Sequence, residues 1–427
     1  MKLRLGRINI SDIQFGDKTK VSQGVLYVNK EEILAAVADE RLSRIELDLA
    51  RPGESVRIMP VKDVIEPRVK VEGLGGIFPG FTSKVDMVGE GITLVLSGAA
   101  VVTTGKIVGF QEGIVDMTGP GADYTPFSKT CNLVVTCDAS HGLSQHEHEA
   151  ALRMVGYKAA VAVAEAAREA KVDSWEEYEH LNFVQGAKQF PDLPRVAYVY
   201  MLQSQGLLHD TYVYGVDAKR ILPTLLSPTE VMDGAIVSGN CVSACDKNTT
   251  YHHLNNPVIQ DLYQRHGKDL NFVGVIITNE NVTLADKQRS SNFTAKLAEM
   301  LGLDGAIVSE EGFGNPDTDL IMNCTKLEKK GIKTVVLTDE YAGRDGASQS
   351  LADADALADA LVTGGNANEV VTLPPMDKVI GDNKPADTIA GGFDGSLQAD
   401  GSITVEIQAI IGATNELGFN KRSAREI

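Results

Sequence analysis

A chain of 427 residues, 43 % hydrophobic and 23 % charged, is long enough for two or more domains with full cores and too apolar to remain disordered. Its formal net charge of −18, unrelieved by any clustered Lys/Arg stripe, argues against nucleic acid and suits a well-solvated cytosolic surface. The five cysteines, Cys131, Cys137, Cys241, Cys245 and Cys324, are odd in number and widely spread, which fits reduced thiols better than a disulfide framework. Cys241 and Cys245 are spaced C-x3-C with no second pair, so a zinc site is not expected. Met1-Lys-Leu-Arg carries no signal-peptide core, and no apolar run reaches about 18 residues, so the expectation is a cytoplasmic protein without a membrane span.

In chain order, residues 1–143 read as a β-rich domain. Short apolar runs such as Val56-Arg-Ile-Met-Pro-Val61, Ile92-Thr-Leu-Val-Leu96 and Ala100-Val-Val-Thr103 alternate with Gly and Pro punctuation. Gly73-Leu-Gly-Gly-Ile-Phe-Pro-Gly80 lacks the spacing of a dinucleotide loop and reads as a turn cluster. Ser144-Gln-His-Glu147 has the form of a capping box, followed by Leu152, Val155, Ala159, Val163 and Ala166 at helical spacing; a helix over 145–170 follows, within a helical bridge spanning 144–191. His146, Glu147, His148 and Glu149 are consecutive and point in different directions on a helix, so they read as a solvated first turn, not a metal site.

From 192 to 427 the rhythm is that of an α/β domain. Strands are expected at Val196–Tyr200, Ala235–Val237, Phe272–Ile277, Ala306–Val308, Thr334–Leu337 and Val370–Leu373, with helices at about 286–301, 317–330 and 351–362. The fold class is therefore α/β: a β-rich N-terminal domain followed by an open doubly wound, mostly parallel sheet. Ligands bind beyond the carboxyl ends of such strands. Those ends carry Glu280, Glu310-Glu311 and Asp339-Glu340 with Arg344, and their repetition at three strands favours a site, although acidic residues there also serve as helix N-caps. Asn366 and Asp394 lie in Gly-rich loops that also suit ordinary turns. No P-loop, nicotinamide or flavin fingerprint is present, so neither a metal nor a nucleotide is expected.

The stretch Gly234-Ala-Ile-Val-Ser-Gly-Asn-Cys-Val-Ser-Ala-Cys-Asp-Lys247 places a thiol directly after an Asn at residues that favour turns. In a strained turn the Cys241 sulfur attacks the Asn240 carbonyl and converts the peptide bond into a thioester; β-elimination and hydrolysis then leave a pyruvoyl group. Asn-Cys pairs are common, however, and a buried Cys usually packs as a small hydrophobe.

This stretch, with Tyr198-Val-Tyr-Met-Leu-Gln-Ser-Gln-Gly-Leu-Leu-His-Asp-Thr-Tyr-Val-Tyr-Gly215, Val275-Ile-Ile-Thr-Asn-Glu-Asn281, Glu311-Gly-Phe-Gly-Asn-Pro-Asp-Thr-Asp-Leu320 and Thr338-Asp-Glu-Tyr-Ala-Gly-Arg-Asp-Gly-Ala-Ser-Gln-Ser350, resembles the component B proproteins of the glycine/sarcosine/betaine reductase family. The likeness runs from Leu3 to about Phe419. It implies self-cleavage at Asn240–Cys241 into chains 1–240 and 241–427, with a pyruvoyl cofactor derived from Cys241 that forms a Schiff base with glycine for reductive deamination to acetyl phosphate and ammonia. The implied partners are a selenoprotein subunit of component B, a small selenoprotein A, an acetyl-phosphate-forming component C and the small amino acid.

Within that reading Arg344 and Arg289 are the arginines nearest the expected crevice for a substrate carboxylate, beside Glu280, Glu311 and Asp339; His252 and His253 are candidates for proton transfer because it needs a pKa near neutrality. Sarcosine or betaine reductase component B remains an alternative. Betaine is disfavoured by 6 % aromatics and a single Trp175, although Tyr251, Tyr341 and Phe313 offer rings for a cationic cage. A hydrolase using a freed Cys241 amine and thiol, or an uncut scaffold, are the readings from other classes.

Overall fold

The computed structural model describes residues 1–239 and 248–418. The N-terminal half is β-rich as expected. One sheet runs in the order Gly113–Asp116, Val56–Ile65, Ala99–Gly105, Cys131–Ala139, Leu42–Ala50, and a second in the order Ser174–Glu179, Lys2–Asn9, Gly91–Ser97, Arg68–Glu72. Val56–Ile65 is buried along its whole length, charged residues included. Arg57 meets Asp116 through two parallel bonds of 2.7 and 2.8 Å, and Lys62 reaches Glu112 at 3.1 Å, so both buried cations of the strand have an acidic partner.

Helix Gln145–Ala164 starts at the capping box read from the sequence, with the Ser144 hydroxyl accepting from Glu147 N–H and Glu147 accepting from Ser144 N–H. Leu152, Val155, Ala159 and Val163 pack onto Ile65, Val101, Leu133 and Val135. The helix stops earlier than 170 and passes into a 3-10 turn, Glu165–Glu169. Residues 144–191 also hold a strand, Ser174–Glu179, paired antiparallel with Lys2–Asn9. Its alternation decides this: Trp175 lies beneath Arg4 at 4.6 Å on one face, and Glu176 takes Arg7 at 2.7 Å on the other.

The C-terminal sheet has the order Thr224–Leu226, Asn271–Asn279, Arg195–Leu202, Gly305–Ser309, Lys333–Glu340, Leu361–Asn366, parallel except for its first strand. Both faces are covered. Tyr198, Tyr200 and Leu202 pack with Val258, Ile259 and Leu262 of helix Pro257–Arg265 on one side. Ala197, Val199 and Met201 meet Ala295, Ala298, Leu320 and Leu327 of helices Leu284–Met300 and Asn315–Glu328 on the other.

Three expectations fail here. No helix forms over 351–362: Asp353 and Asp355 accept from Ala354 N–H and Leu357 N–H, and such local bonds compete with helix formation. Val370–Leu373 leaves the parallel sheet and pairs antiparallel with Ile403–Glu406; Leu361–Asn366 takes the edge position instead. Ile236–Ser238 belongs to a small antiparallel sheet with Thr211–Val213 and Val216–Asp217. Among the described residues no helix is long and apolar enough to cross a membrane.

Strand Arg195–Leu202 lies between Asn271–Asn279 and Gly305–Ser309, both later in the chain, while Lys378–Gly381 returns to pair with Val56–Ile65. Withdrawing Tyr198, Val199, Tyr200, Met201 and Leu202 at about 2 kcal/mol each costs on the order of 10 kcal/mol, as much as a whole domain's stability. A chain cut between 239 and 248 should therefore elute as one species in native gel filtration and separate into two bands only on a denaturing gel.

Candidate active site

Among the described residues, the carboxyl ends of the parallel strands and the helix turn beside them gather buried acidic residues, Glu280, Glu310, Glu311, Asp317 and Asp339 among them. Helix capping accounts for only one of them. The N-caps are Thr283 and Gly314, and Asp317 closes the second box by accepting from Gly314 N–H at 2.7 Å. Glu311 instead accepts from Gln203 N–H at 2.8 Å, the Thr211 hydroxyl at 3.1 Å and Asn248 N–H at 3.1 Å, and its own N–H donates to Glu280 at 3.0 Å. Glu310 takes the Thr338 hydroxyl at 3.0 Å. Burial, with the charges of Asp317, Glu280 and Asp339 adding to it, raises the Glu310 pKa far above the usual carboxylate range, so Glu310 is a neutral acid within the cluster.

Asn240 and Cys241 lie outside the described residues, and both flanks of their segment are well anchored. Gly239 N–H donates to Asp210 C=O at 2.5 Å; a Cβ there would sit 2.4 Å from the His209 carbonyl oxygen. Glycine is needed for this close approach. On the far side the Asn248 amide donates to Tyr200 OH at 3.0 Å and Glu416 at 3.0 Å and accepts from Asn415 at 2.7 Å. Tyr200 OH in turn lies 2.8 Å from His253 Nδ1. A continuous polar network thus links the carboxylates at the sheet edge, the resumption of the chain at Asn248, and the helix Thr250–Leu254.

That helix buries both histidines completely. The near-neutral pKa expected of them is absent: burial lowers His252 and His253 each to about 3, and they stand neutral. The 3.8 Å approach of His253 Nε2 to Glu311 is therefore no ion pair at neutral pH. Asp339 sits within the acidic cluster, but the arginines do not join it. Arg344 is half-exposed, bound to Glu406 at 2.8 Å and stacked 4.2 Å over Phe393; Arg289 is exposed and paired with Asp286 at the start of its helix. Phe313 and Tyr341 stack on each other at 4.1 Å, whereas Tyr251 packs against Phe127, so the three rings form no common cage.

Sequence reasoning missed Tyr200, Asn248 and Glu416, because nothing local marks a tyrosine in a buried strand or an Asn in a polar run as partners. It also missed His209, whose Nδ1 lies 2.5 Å from Asp217 beside the Gly239 anchor; that pair is hidden in an otherwise ordinary loop and hairpin. His146 faces His209 at 4.9 Å, away from the buried His148 and Glu149.

An α/β subunit with a carboxylate-lined sheet edge is what fold and site define. Its family is given by comparison: the glycine/sarcosine/betaine reductase component B subunits match residues 1–425, and the chain belongs to that family, subunits of a reductase enzyme complex. It is 72 % identical to the glycine reductase complex component B subunits alpha and beta of Acetoanaerobium sticklandii and 68 % identical to the protein of that name from Peptoclostridium acidaminophilum. Identity to the sarcosine reductase complex component B subunit alpha of Peptoclostridium acidaminophilum is 58 %. All three alignments cover the whole of both chains. No solved structure matches the chain.

Two outcomes follow from the electrostatics. The folded values of His252 and His253 lie below the ordinary 6.5, so their contribution to stability is complete above pH 6.5 and is lost as the pH falls toward 3. The thermal midpoint of a His253→Gln variant should depend less on pH across that window than the parent's. At neutral pH, Glu310→Gln should keep or raise the midpoint because the amide preserves neutrality and shape, while Glu311→Gln, which loses charge-assisted bonds, should cost about 1.5–3 kcal/mol in denaturant unfolding.

Proposed function

We propose that this chain is the substrate-activating component B of a glycine reductase, made as a proprotein that cuts itself between Asn240 and Cys241. The observation that carries the reading is the graded, full-length identity: 72 % and 68 % to proteins named for glycine reductase against 58 % to one named for sarcosine reductase. The glycine-reductase names assign two subunits, alpha and beta, to a single chain of this length, which supports a cut that makes two. The sequence supplies an Asn-Cys bond between two well-anchored flanks for that cut.

A pyruvoyl group from Cys241 would supply an electrophilic ketone that condenses with the substrate amine and draws electrons from its Cα–N bond. The described wall fits such a group: it is buried and polar, and its His253 Nε2 makes no hydrogen bond among the described residues. Glu280, Glu311 and Asp339 attract an ammonium to the sheet edge, and a carboxylate that accepts its proton frees the nitrogen lone pair. His253, neutral and bonded to Tyr200, acts as a hydrogen-bond relay and not as a charged acid. The separation of Tyr251 from the Phe313–Tyr341 stack favours a primary amine over a quaternary one.

The nucleophile that attacks Cα comes from the partners, a selenoprotein subunit and a small selenoprotein A, and an acetyl-phosphate-forming component C completes the reaction, all in the cytoplasm. Protein isolated from its host should show chains of 1–240 and 241–427 by intact mass, and a Cys241→Ala chain should stay whole. Borohydride reduction with radiolabelled amines should fix label from glycine on the 241–427 chain. Preferential label from sarcosine overturns the substrate assignment, and an uncut native chain overturns the processing.

A further inference from the structure

Strand Ile236–Ser238 pairs on one side with Thr211–Val213, and Gly239 N–H continues that ladder to Asp210. The backbone groups of Ser238 face the other way and must find partners elsewhere. They find them on distant residues. Ser238 N–H donates to the Thr250 hydroxyl at 3.0 Å, and Ser238 C=O accepts from Tyr157 OH on the long N-terminal helix. The Thr250 hydroxyl donates in turn to Asp63 at 2.6 Å, and Thr250 N–H donates to the other Asp63 oxygen at 2.9 Å.

Asp63, Tyr157, Ser238 and Thr250 are all buried, and the Tyr157 ring is wedged between Phe78 and Phe81 at 5.2 and 5.1 Å. Asp63 has only hydrogen-bond donors for company: Thr250 and Val64 N–H at 2.8 Å, with no cation among its bonded partners. Burial raises its pKa to about 7 while these bonds pull it back. A buried carboxylate is costly, and here it is offset only by the two backbone N–H groups and the hydroxyl that donate to it. What this one achieves is to hold Thr250, and through its hydroxyl Ser238, so that the flanks on either side of Asn240–Cys241 are fastened to each other.

We propose that Asp63, Thr250 and Tyr157 are positioning residues for the cleavage of Asn240–Cys241, holding the two ends of the segment that contains the reacting bond; the inference rests on the processing reading above. In the step they assist, the Cys241 S–H adds across the Asn240 C–N bond: an S–C bond forms, the C–N bond breaks, and the thiol proton ends on the freed nitrogen. No outside reagent enters. Such a shift gains from fixed approach geometry, since orientation alone carries several powers of ten in rate.

The test is the rate at which freshly made precursor converts to 1–240 and 241–427, followed by intact mass. Thr250→Val keeps the shape and loses the hydroxyl, and it should slow conversion at least about tenfold; Thr250→Ser should restore it. Tyr157→Phe, which keeps the ring in its slot, should also slow it and serves where Thr250→Val fails to fold. Thr93→Val, which removes a buried hydroxyl bound to Asp233 at 2.6 Å, is the matched control and should convert at the parent rate. A folded Thr250→Val or Tyr157→Phe chain that converts like the parent overturns the proposal while the processing reading stands, as does a Thr250→Ser chain no faster than Thr250→Val. A parent that never converts, or a Cys241→Ala chain that does, overturns both.

Discussion

The site depends on one buried carboxylate. Glu311 receives the N–H of Gln203 just past the central strand, the hydroxyl of Thr211 at the head of the hairpin, and the N–H of Asn248 where the chain resumes. Each donor comes from a different element, and none has sequence proximity to Glu311. Taking a carboxylate out of water costs several kcal/mol, and charge-assisted bonds of this kind offset it only when all are made together. The hairpin, the helix with its two histidines and the sheet edge are therefore coupled.

Around Glu311, three buried titratable groups are held neutral. Glu310 is kept protonated by burial and its acidic neighbours; His252 and His253 are kept unprotonated by burial alone or nearly so. The result is a site in which Glu311 is held by donors from three separate elements while Glu310, His252 and His253 stand neutral beside it. A fixed field of this sort needs no reorganisation when an ammonium enters or a proton moves, the feature by which preorganised sites gain over water.

Much of this was legible because the signals are local. The capping box at Ser144 and Glu147 and the strand-helix rhythm that carries Glu280, Glu311 and Asp339 to successive strand ends are both patterns within a few residues. The failures share the opposite property. Asp353 and Asp355 sit in an Ala-rich run of helical composition, and only their bonds to Ala354 and Leu357 show that the run is coil. His252 and His253 look like ordinary titrating residues until the core closes over them. Asp63 lies 187 residues from Thr250, a separation that no pattern reading spans.

Those long separations bear on the order of events in the proposed maturation. Strand Arg195–Leu202 has no place until Asn271–Asn279 and Gly305–Ser309 exist to flank it, and the Ser238 N–H has no side-chain partner until Thr250 is in place. Both conditions require residues on either side of Asn240–Cys241 to be already packed together. A bond that is cleaved only when its flanks are held cannot be cut in the unfolded chain, where the two ends of the segment wander apart at a loop-closure cost of a few kcal/mol. In the proposed maturation folding thus precedes cleavage, and the cut would fall in a structure whose central strand already locks both halves in place.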